Sequence, residues 1–189
     1  MKVAVIGGGA AGFFSAIHVK ENHPNASVTI FEKTKKVLSK VKVSGGGRCN
    51  VTNGTESINE LHKAYPRGGK KLKKIFKEFG TVDTINWFES RNVPLYIQED
   101  NRVFPKSDKS ESIINCLFKE IRKLNISLET GYCILQIKKL DGRLKIYFKE
   151  ENKIPEVFEK TKKVLSKVKV SGGGRCNVTN GTESINELH

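Results

Sequence analysis

Residues 2–32 read KVAVIGGGAAGFFSAIHVKENHPNASVTIFE, and this stretch decides the fold. Lys2–Ile6 is a short apolar run that ends on glycine, the pattern of a buried parallel strand. Ala10–Glu21 reads as a helix whose Phe13, Phe14, Ile17 and Val19 are available to pack. His23-Pro24-Asn25 stops it. Ser27–Phe31 is a second strand, β-branched and apolar. Strand, glycine turn, helix and strand in this order make a βαβ unit with a right-handed crossover.

The turn itself carries chemistry. Gly7-x-Gly9-x-x-Gly12 closes the strand and opens the helix. In such a turn the first glycine permits the tight bend, the second lets the backbone approach a pyrophosphate, and the third lets the helix pack close to the sheet. Ala10 and Ala11 begin the helix, whose free N–H groups and partial positive charge face the phosphates. Glu32 lies 20 residues beyond Gly12, at the end of the second strand, with Lys33 beside it. A carboxylate there accepts hydrogen bonds from both hydroxyls of a ribose, and it disfavours a 2′-phosphate. A lone glycine fingerprint is weak, but strand, helix, second strand and acid all fall in place here, which indicates dinucleotide binding. A signal peptide is the rival reading of Lys2 and the apolar run after it. Four glycines in that run make a poor apolar helix, and no later window approaches the ~20 apolar residues that cross a bilayer. The expectation is a cytoplasmic chain with no membrane contact.

Ser44-Gly45-Gly46-Gly47-Arg48-Cys49-Asn50 is the second constellation. Adjacent glycines expose backbone N–H groups to a planar or anionic ligand, and Arg48 can pair with an anion. Asn50, Thr52 and Asn53 add hydrogen-bonding groups. The bland alternative is a flexible surface loop. The loop is not a P-loop, because no Gly-Lys-Ser/Thr ending is present.

Between these sites Lys33–Lys42 is a basic stretch, and Ser44–Thr55 reads as a loop. Short or clear helices are expected over Ser57–Ala64, Lys70–Phe79, Thr81–Ser90 (capped by Thr81) and Ser110–Leu124. In the last, Ile113, Ile114, Leu117, Ile121 and Leu124 form one apolar stripe. Val93–Ile97 and Ile126–Glu129 read as strands, and Arg102–Pro105 as a turn or short strand. Tyr132–Leu140 and Leu144–Lys149 flank Asp141-Gly142, a strong hairpin signal, and Asn152–Val157 starts a third strand of that small sheet.

The chain has 189 residues, and Phe31–His62 recurs letter for letter as Phe158–His189. The 32 repeated residues leave 157 of distinct sequence, about one domain. Each copy carries six basic and three acidic residues, so one copy fewer lowers the net charge from +14 to +11. Cys176 copies Cys49, and no cysteine has the spacing of a zinc site or a disulfide framework. Cys49 invites a redox reading, but without a partner at CxxC spacing it reads as an ordinary small residue. Cys116 and Cys133 read as core, and His18 and His23 as surface or packing residues. No general acid or base stands out.

VIGGGAAG, then FEK, then KVSGGGRCNVTN, then NRVFPKSDKS resembles the BaiN/YhiN-like family of NAD(P)/FAD-dependent oxidoreductases. The SGGGRCNVTN loop and the RVFPKS segment are more specific to it than the glycine fingerprint. The resemblance spans residues 1 to about 157. It implies an α/β, Rossmann-type FAD-binding domain like that of glutathione reductase, with a small β-meander over about 131–157 and incomplete at the C-terminus. It implies that Gly7, Gly9, Ala10, Ala11 and Gly12 hold the FAD pyrophosphate, that Glu32 and Lys33 lie at the adenosine ribose, and that Ser44 through Asn50 lie near the flavin. Arg48 would then stabilise a reduced, anionic flavin. The implied activity is that of an oxidoreductase, with NAD(P)H as donor and an unsaturated or carbonyl-type small molecule as substrate. Asn101 stands where the family has glycine before Arg102-Val103-Phe104.

Family members are about twice as long or more, continuing into an Ala-Thr-Gly-Gly strand and a substrate domain. Here the second copy begins instead, and without an upstream glycine fingerprint it is expected to form neither a site nor an independent domain. Weak or absent FAD retention is therefore expected. The alternatives are an inactive fragment from a duplication or assembly artefact, and a basic nucleic-acid-binding module. The second rests on Arg67, Lys70, Lys71, Lys73, Lys74 and Lys77 and a sequence pI of about 9.7. Without a zinc-finger, RRM or KH signature, the run reads as a solvated helix face, and nucleic acid is not an expected partner.

Overall fold

The computed structural model describes residues 1–65, 67–140, 143–149 and 157–158. The opening βαβ unit forms as its pattern requires: β1 (Lys2–Ile6), α1 (Ala10–Asn22) and β2 (Ser27–Glu32). β1 and β2 are parallel, in register from Lys2 with Ser27 to Ile6 with Phe31. β2 also pairs in parallel with β6 (Ser127–Thr130), giving the order β1-β2-β6. The first strand is therefore an edge strand among the described residues. This corrects the expectation of a fully buried strand: Val3, Ala4 and Val5 are half-buried, and Ile6 is 51% exposed.

Helices cover the sheet and form the core. Phe13, Ala16 and Ile17 of α1 are fully buried beside Val28 and Ile30 of β2. α6 (Ser110–Lys123) adds Ile113, Leu117 and Ile121, while Ile114 and Leu124 of the expected stripe pack at its margin. Phe118 of α6 meets Phe13 edge-on, with ring centroids 5.3 Å apart. α5 (Thr81–Glu89) brings Trp87 and Phe88 to the same core. His18 packs here, its ring 4.3 Å from that of Phe14 and stacked 6.2 Å from Trp87. Burial, opposed by Glu21 and the Phe14 carbonyl, lowers its pKa.

The N-terminal cap of α5 differs from the sequence reading. Gly80 occupies the cap, and the Asp83 carboxylate accepts its N–H at 2.7 Å. Thr81 lies one residue inside, and its hydroxyl donates instead to the carbonyl of Thr55 at 2.8 Å.

Two elements were hidden in stretches read as irregular. α2 (Ser39–Val43) lies within the basic stretch, and β3 (Thr52–Asn53) lies within the glycine loop. β3 pairs with β5 (Arg102–Pro105), which also pairs with β4 (Leu95–Ile97), in a small antiparallel sheet. These elements are too short for periodicity to mark them, and their partners are distant in sequence. α3 (Ile58–Leu61) and a 3₁₀ turn at His62–Ala64 lead to α4 (Gly69–Glu78).

The meander is β7 (Cys133–Leu140), β8 (Arg143–Lys149) and β9 (Val157–Phe158), all antiparallel. Leu140 pairs with Arg143 across the hairpin, and Asp141-Gly142 itself lies outside the described residues. The third strand uses Val157 and Phe158, later than Asn152–Val157 suggested. The rest of the second copy lies outside the described residues. Rings of Phe31, Tyr132 and Phe148 pack the meander against the main sheet, with centroids 5.0 to 5.8 Å apart. No described helix is long and apolar enough to cross a membrane.

Candidate cofactor-binding site

The glycine turn has the steric character its spacing requires. Gly7 has φ +105°, and its N–H donates to the carbonyl of Phe31 at 2.8 Å. A Cβ on Gly12 would stand 1.8 Å from the carbonyl oxygen of Gly7, so only glycine lets α1 start this close to the turn. Gly9 is the opposite case: a Cβ there would meet nothing within 4 Å. Its exposed backbone, with Ala10 and Ala11 behind it, forms the start of α1, which no side chain caps. The first-turn N–H groups therefore keep their capacity to donate to an anion.

Glu32 closes the other side of the turn. Its Oε2 accepts the Gly8 N–H at 2.7 Å, and its Oε1 accepts the Thr34 N–H at 3.0 Å and the Thr34 hydroxyl at 3.1 Å. Partial burial works to raise the carboxyl pKa, but these hydrogen bonds and Lys33 outweigh it and hold the pKa below the ordinary glutamate value. A depressed folded pKa stabilises the fold fully above the unfolded value, and that contribution fades as pH falls through the folded one. A carboxylate offers about four acceptor positions, so one remains on Oε2. The sequence reading gave this carboxylate to both hydroxyls of a ribose and missed Thr34, two residues on, which occupies Oε1. Lys33 is exposed beside it.

α2 connects the two constellations. The Leu38 N–H donates to the Gly8 carbonyl at 2.8 Å, and the helix ends at Ser44. Five helical residues thus span about 7.5 Å between the glycine turn and the glycine loop. Leu38 is 2% exposed, and its burial holds the spacer down.

The Ser44–Asn50 loop is not a flexible tether. Gly45, Gly46 and Gly47 have φ +58°, +69° and +87°, and Cys49 follows at +65°. A Cβ on Gly45 would lie 2.7 Å from Phe104 and 2.9 Å from the Asn50 nitrogen, so the loop is packed hard against β5. Gly46 and Gly47 would meet nothing within 4 Å, so a ligand can reach their backbone. Ser44 and Asn50 serve the scaffold. The Ser44 hydroxyl donates to the Val41 carbonyl at 3.0 Å, and the Asn50 side chain accepts the Val103 N–H at 3.2 Å. Thr52 lies in β3, and the Asn53 side chain accepts the Thr55 N–H at 2.7 Å.

Arg48 is held by Gly45 of its own loop, by Phe104 of the RVFPKS segment and by Asp108. Its guanidinium lies 4.1 Å over the Phe104 ring, and its Nε donates to the Gly45 carbonyl at 3.3 Å. Asp108 lies 3.9 Å from Arg48 Nη1 and accepts the Tyr96 hydroxyl at 2.7 Å. Asn101 has φ +62° and adopts the left-handed turn itself, as asparagine tolerates. Its carbonyl accepts the Gly54 N–H at 2.7 Å, so the backbone turn survives the missing glycine.

Cys49 is 6% exposed. Burial pushes its thiol pKa up, against a smaller opposing effect from Ser44, so it is not an activated thiolate. Cys116 is pushed up to about 11, chiefly by burial and next by Glu120. In native protein at pH 8, iodoacetamide is expected to label Cys133, which is half-buried, well before Cys49 or Cys116. Tryptic mapping separates Cys49 from its copy, because the Cys49 peptide ends in Lys63 and the Cys176 peptide in His189. Early labelling at Cys49 would contradict the inert assignment.

An FAD site fits these residues, on the open cradle at Gly9 and on the open, left-handed backbone at Gly46 and Gly47. The chain is 28% identical over 137 residues to a 3-dehydro-bile acid delta(4,6)-reductase of Clostridium scindens, covering 72% of this chain and 32% of that protein. It is 26% identical over 144 residues to a ribosomal RNA dihydrouridine synthase of Haemophilus influenzae, covering 76% and 34%. The chain thus spans about a third of the length of these curated relatives. Among solved structures, its fold matches E. coli quinol fumarate reductase FrdA with TM-score 0.57 at 17% identity, over 77% of this chain and 28% of that one. It matches a 3-ketosteroid-delta4-(5alpha)-dehydrogenase from Rhodococcus jostii equally, at TM-score 0.57 and 17% identity, over 80% and 42%. The profile of the HI0933-like protein Rossmann domain matches residues 1–156, nearly the whole of the distinct sequence. With the fingerprint, the Arg48 loop and this match in agreement, the chain belongs to the HI0933-like Rossmann-domain family of FAD-dependent oxidoreductases.

Proposed function

We propose that this chain supplies the adenosine and pyrophosphate end of an FAD site in an oxidoreductase that takes hydride from NAD(P)H and saturates a carbon–carbon double bond next to a carbonyl. The cradle at Gly9, opposite a Glu32 carboxylate with acceptor capacity to spare, carries this reading. The names of the two relatives support the reaction class: a delta(4,6)-reductase for a 3-dehydro-bile acid, and a synthase of dihydrouridine in ribosomal RNA.

The chain's own residues bind and orient. The N–H groups at the start of α1 receive the pyrophosphate. A ribose hydroxyl takes the remaining position on Glu32 Oε2, and its neighbour exchanges with the Thr34 hydroxyl at Oε1. Gly46 and Gly47 offer backbone N–H groups to the flavin ring, and Arg48 brings a fixed positive charge beside it. Bound flavin would supply the hydride chemistry, which accords with the lack of an evident acid or base among these side chains. Cys49 serves packing.

The test is a titration of FAD and of ADP-ribose by calorimetry, with inorganic pyrophosphate as the comparison. Glu32→Ala is expected to weaken FAD and ADP-ribose roughly 10- to 100-fold, as loss of a charge-assisted hydrogen bond does. Pyrophosphate should bind the variant unchanged. Equal weakening of all three ligands would show general damage to the turn, and no weakening would remove Glu32 from the site. Weak retention is expected for this chain alone, so FAD should dissociate on gel filtration; stoichiometric retention would overturn that expectation.

A further inference from the structure

Arg48 faces two polar side chains that come from outside its own loop. Asp108 Oδ1 lies 3.9 Å from Arg48 Nη1 and accepts the Tyr96 hydroxyl at 2.7 Å. That hydrogen bond is the chief cause of a raised Tyr96 pKa, against a lowering by Arg48, so the phenol keeps its proton and donates it. Tyr96 belongs to β4, and Asp108 to the loop between β5 and α6. This loop is tied down at both ends. Asp108 adopts φ +52°, which aspartate tolerates, and its N–H donates to the Pro105 carbonyl at 2.9 Å. Two residues on, the buried Ser110 hydroxyl donates to the Lys42 carbonyl at 3.0 Å, in the last turn of α2 before the glycine loop. The carboxylate is thus held at a set place relative to the loop it faces. Arg102 also approaches the Phe104 ring, at 5.6 Å, but its Nε bonds Asp100 at 2.6 Å. Arg48 has the looser counter-charge of the two.

Resting on the reading that puts Arg48 beside the flavin, we propose that Asp108, oriented by Tyr96, is a positioning residue for Arg48. It keeps the guanidinium stacked on Phe104 and offsets part of its charge. A partly exposed ion pair adds little to stability, so this one acts through where it leaves the charge. Phe104 and the Gly45 carbonyl fix the face and the Nε of the guanidinium, and Asp108 draws its Nη1 end. The distance of 3.9 Å leaves Arg48 attraction to spare for an anion at the neighbouring Gly46 and Gly47 backbone. A reduced, anionic flavin feels that charge more than an oxidised, neutral one. Asp108 therefore sets how strongly the loop prefers the reduced form.

The experiment uses the full chain. In the ¹H–¹⁵N spectrum of the protein without ligand, the Arg48 Nε–H resonance, assigned by its loss in Arg48→Gln, should lie upfield of free arginine because of the Phe104 ring. Asp108→Ala should move it toward the free value, and Tyr96→Phe should do so by less. Asp108→Asn, which still accepts the Tyr96 hydroxyl, should retain it. Affinities for oxidised and for pre-reduced FAD, measured anaerobically by calorimetry, read the charge. At low salt, the ratio of reduced to oxidised affinity should rise roughly threefold in Asp108→Asn and fall roughly tenfold in Arg48→Gln. The double variant should match Arg48→Gln, because Asp108 acts through Arg48. ADP-ribose does not reach the glycine loop and should bind every variant as it binds wild type. An unmoved Arg48 resonance in Asp108→Ala, an unchanged ratio in Asp108→Asn, or an equal rise in Asp100→Asn would each overturn the proposal. If Arg48→Gln lowers the ratio and Asp108→Asn does not raise it, only the role of Asp108 is lost. If neither variant changes the ratio while ADP-ribose still binds, Arg48 does not stand beside the flavin, and the proposal falls with that placement. A chain that binds neither FAD nor ADP-ribose fails the function proposed above, and the role of Asp108 with it.

Discussion

Gly12→Ala is expected to abolish FAD and ADP-ribose binding and to lower the melting temperature by about 10 °C. The new Cβ would lie 1.8 Å from the Gly7 carbonyl oxygen, a backbone atom that cannot swing aside. Either α1 lifts from the sheet or the turn opens, and both disturb the packing of Phe13, Ala16 and Ile17. Overpacking of this severity costs about 3 kcal/mol, and a domain of this size loses roughly 2–4 °C per kcal/mol. Gly9→Ala is the matched control. Its Cβ meets nothing, and its φ of −90° suits alanine, so the melting temperature should stay within about 2 °C. The methyl would nevertheless stand where a pyrophosphate approaches, so ligand affinity should fall without loss of fold. Calorimetric melting with ligand titration on both variants separates the two effects. A stable Gly12→Ala protein that still binds, or a Gly9→Ala protein that binds as well as wild type, would contradict the site.

Arg91→Ala should be comparably damaging, for an electrostatic reason. The Arg91 guanidinium lies 3.9 Å over the Trp87 ring, bonds Glu21 at 2.5 Å and the Trp87 carbonyl at 3.0 Å, and lies 3.3 Å from Glu120. Its Nε is nonetheless poorly aligned for a hydrogen bond, so the link to Glu120 is an ion pair rather than a directed bond. The Glu120 side chain is only 5% exposed. Truncating Arg91 leaves that carboxylate buried without its partner, which costs about 3–5 kcal/mol, or roughly 10 °C. Adding Glu120→Gln to the variant removes the stranded charge and should restore more than half of the loss. Chemical denaturation of the two variants and wild type measures the coupling. If the second substitution adds to the loss instead, packing over Trp87 rather than the buried charge dominates.

The site was partly legible before the fold. Gly7, Gly9, Gly12 and Glu32 have roles local to one βαβ unit, and spacing alone expresses a local constraint. Thr34, Tyr96 and Asp108 were not legible. Thr34 acts by closing on a carboxylate two residues away, and Tyr96 and Asp108 meet Arg48 only because β4, β5 and the loop after them fold beside the glycine loop. Ser44 and Asn50 looked like ligand donors, yet their side chains bond the scaffold, since backbone groups in a tight loop need partners more than the sequence discloses.

The sequence by itself determined the βαβ unit, the dinucleotide fingerprint and the family, because strand and helix periodicity and the steric demands of glycine act between near neighbours. The tertiary structure alone decided that β1 is an edge strand among the described residues and that Cys49 is buried. Those outcomes depend on which distant segments exclude water from which faces, and no window of sequence contains both partners.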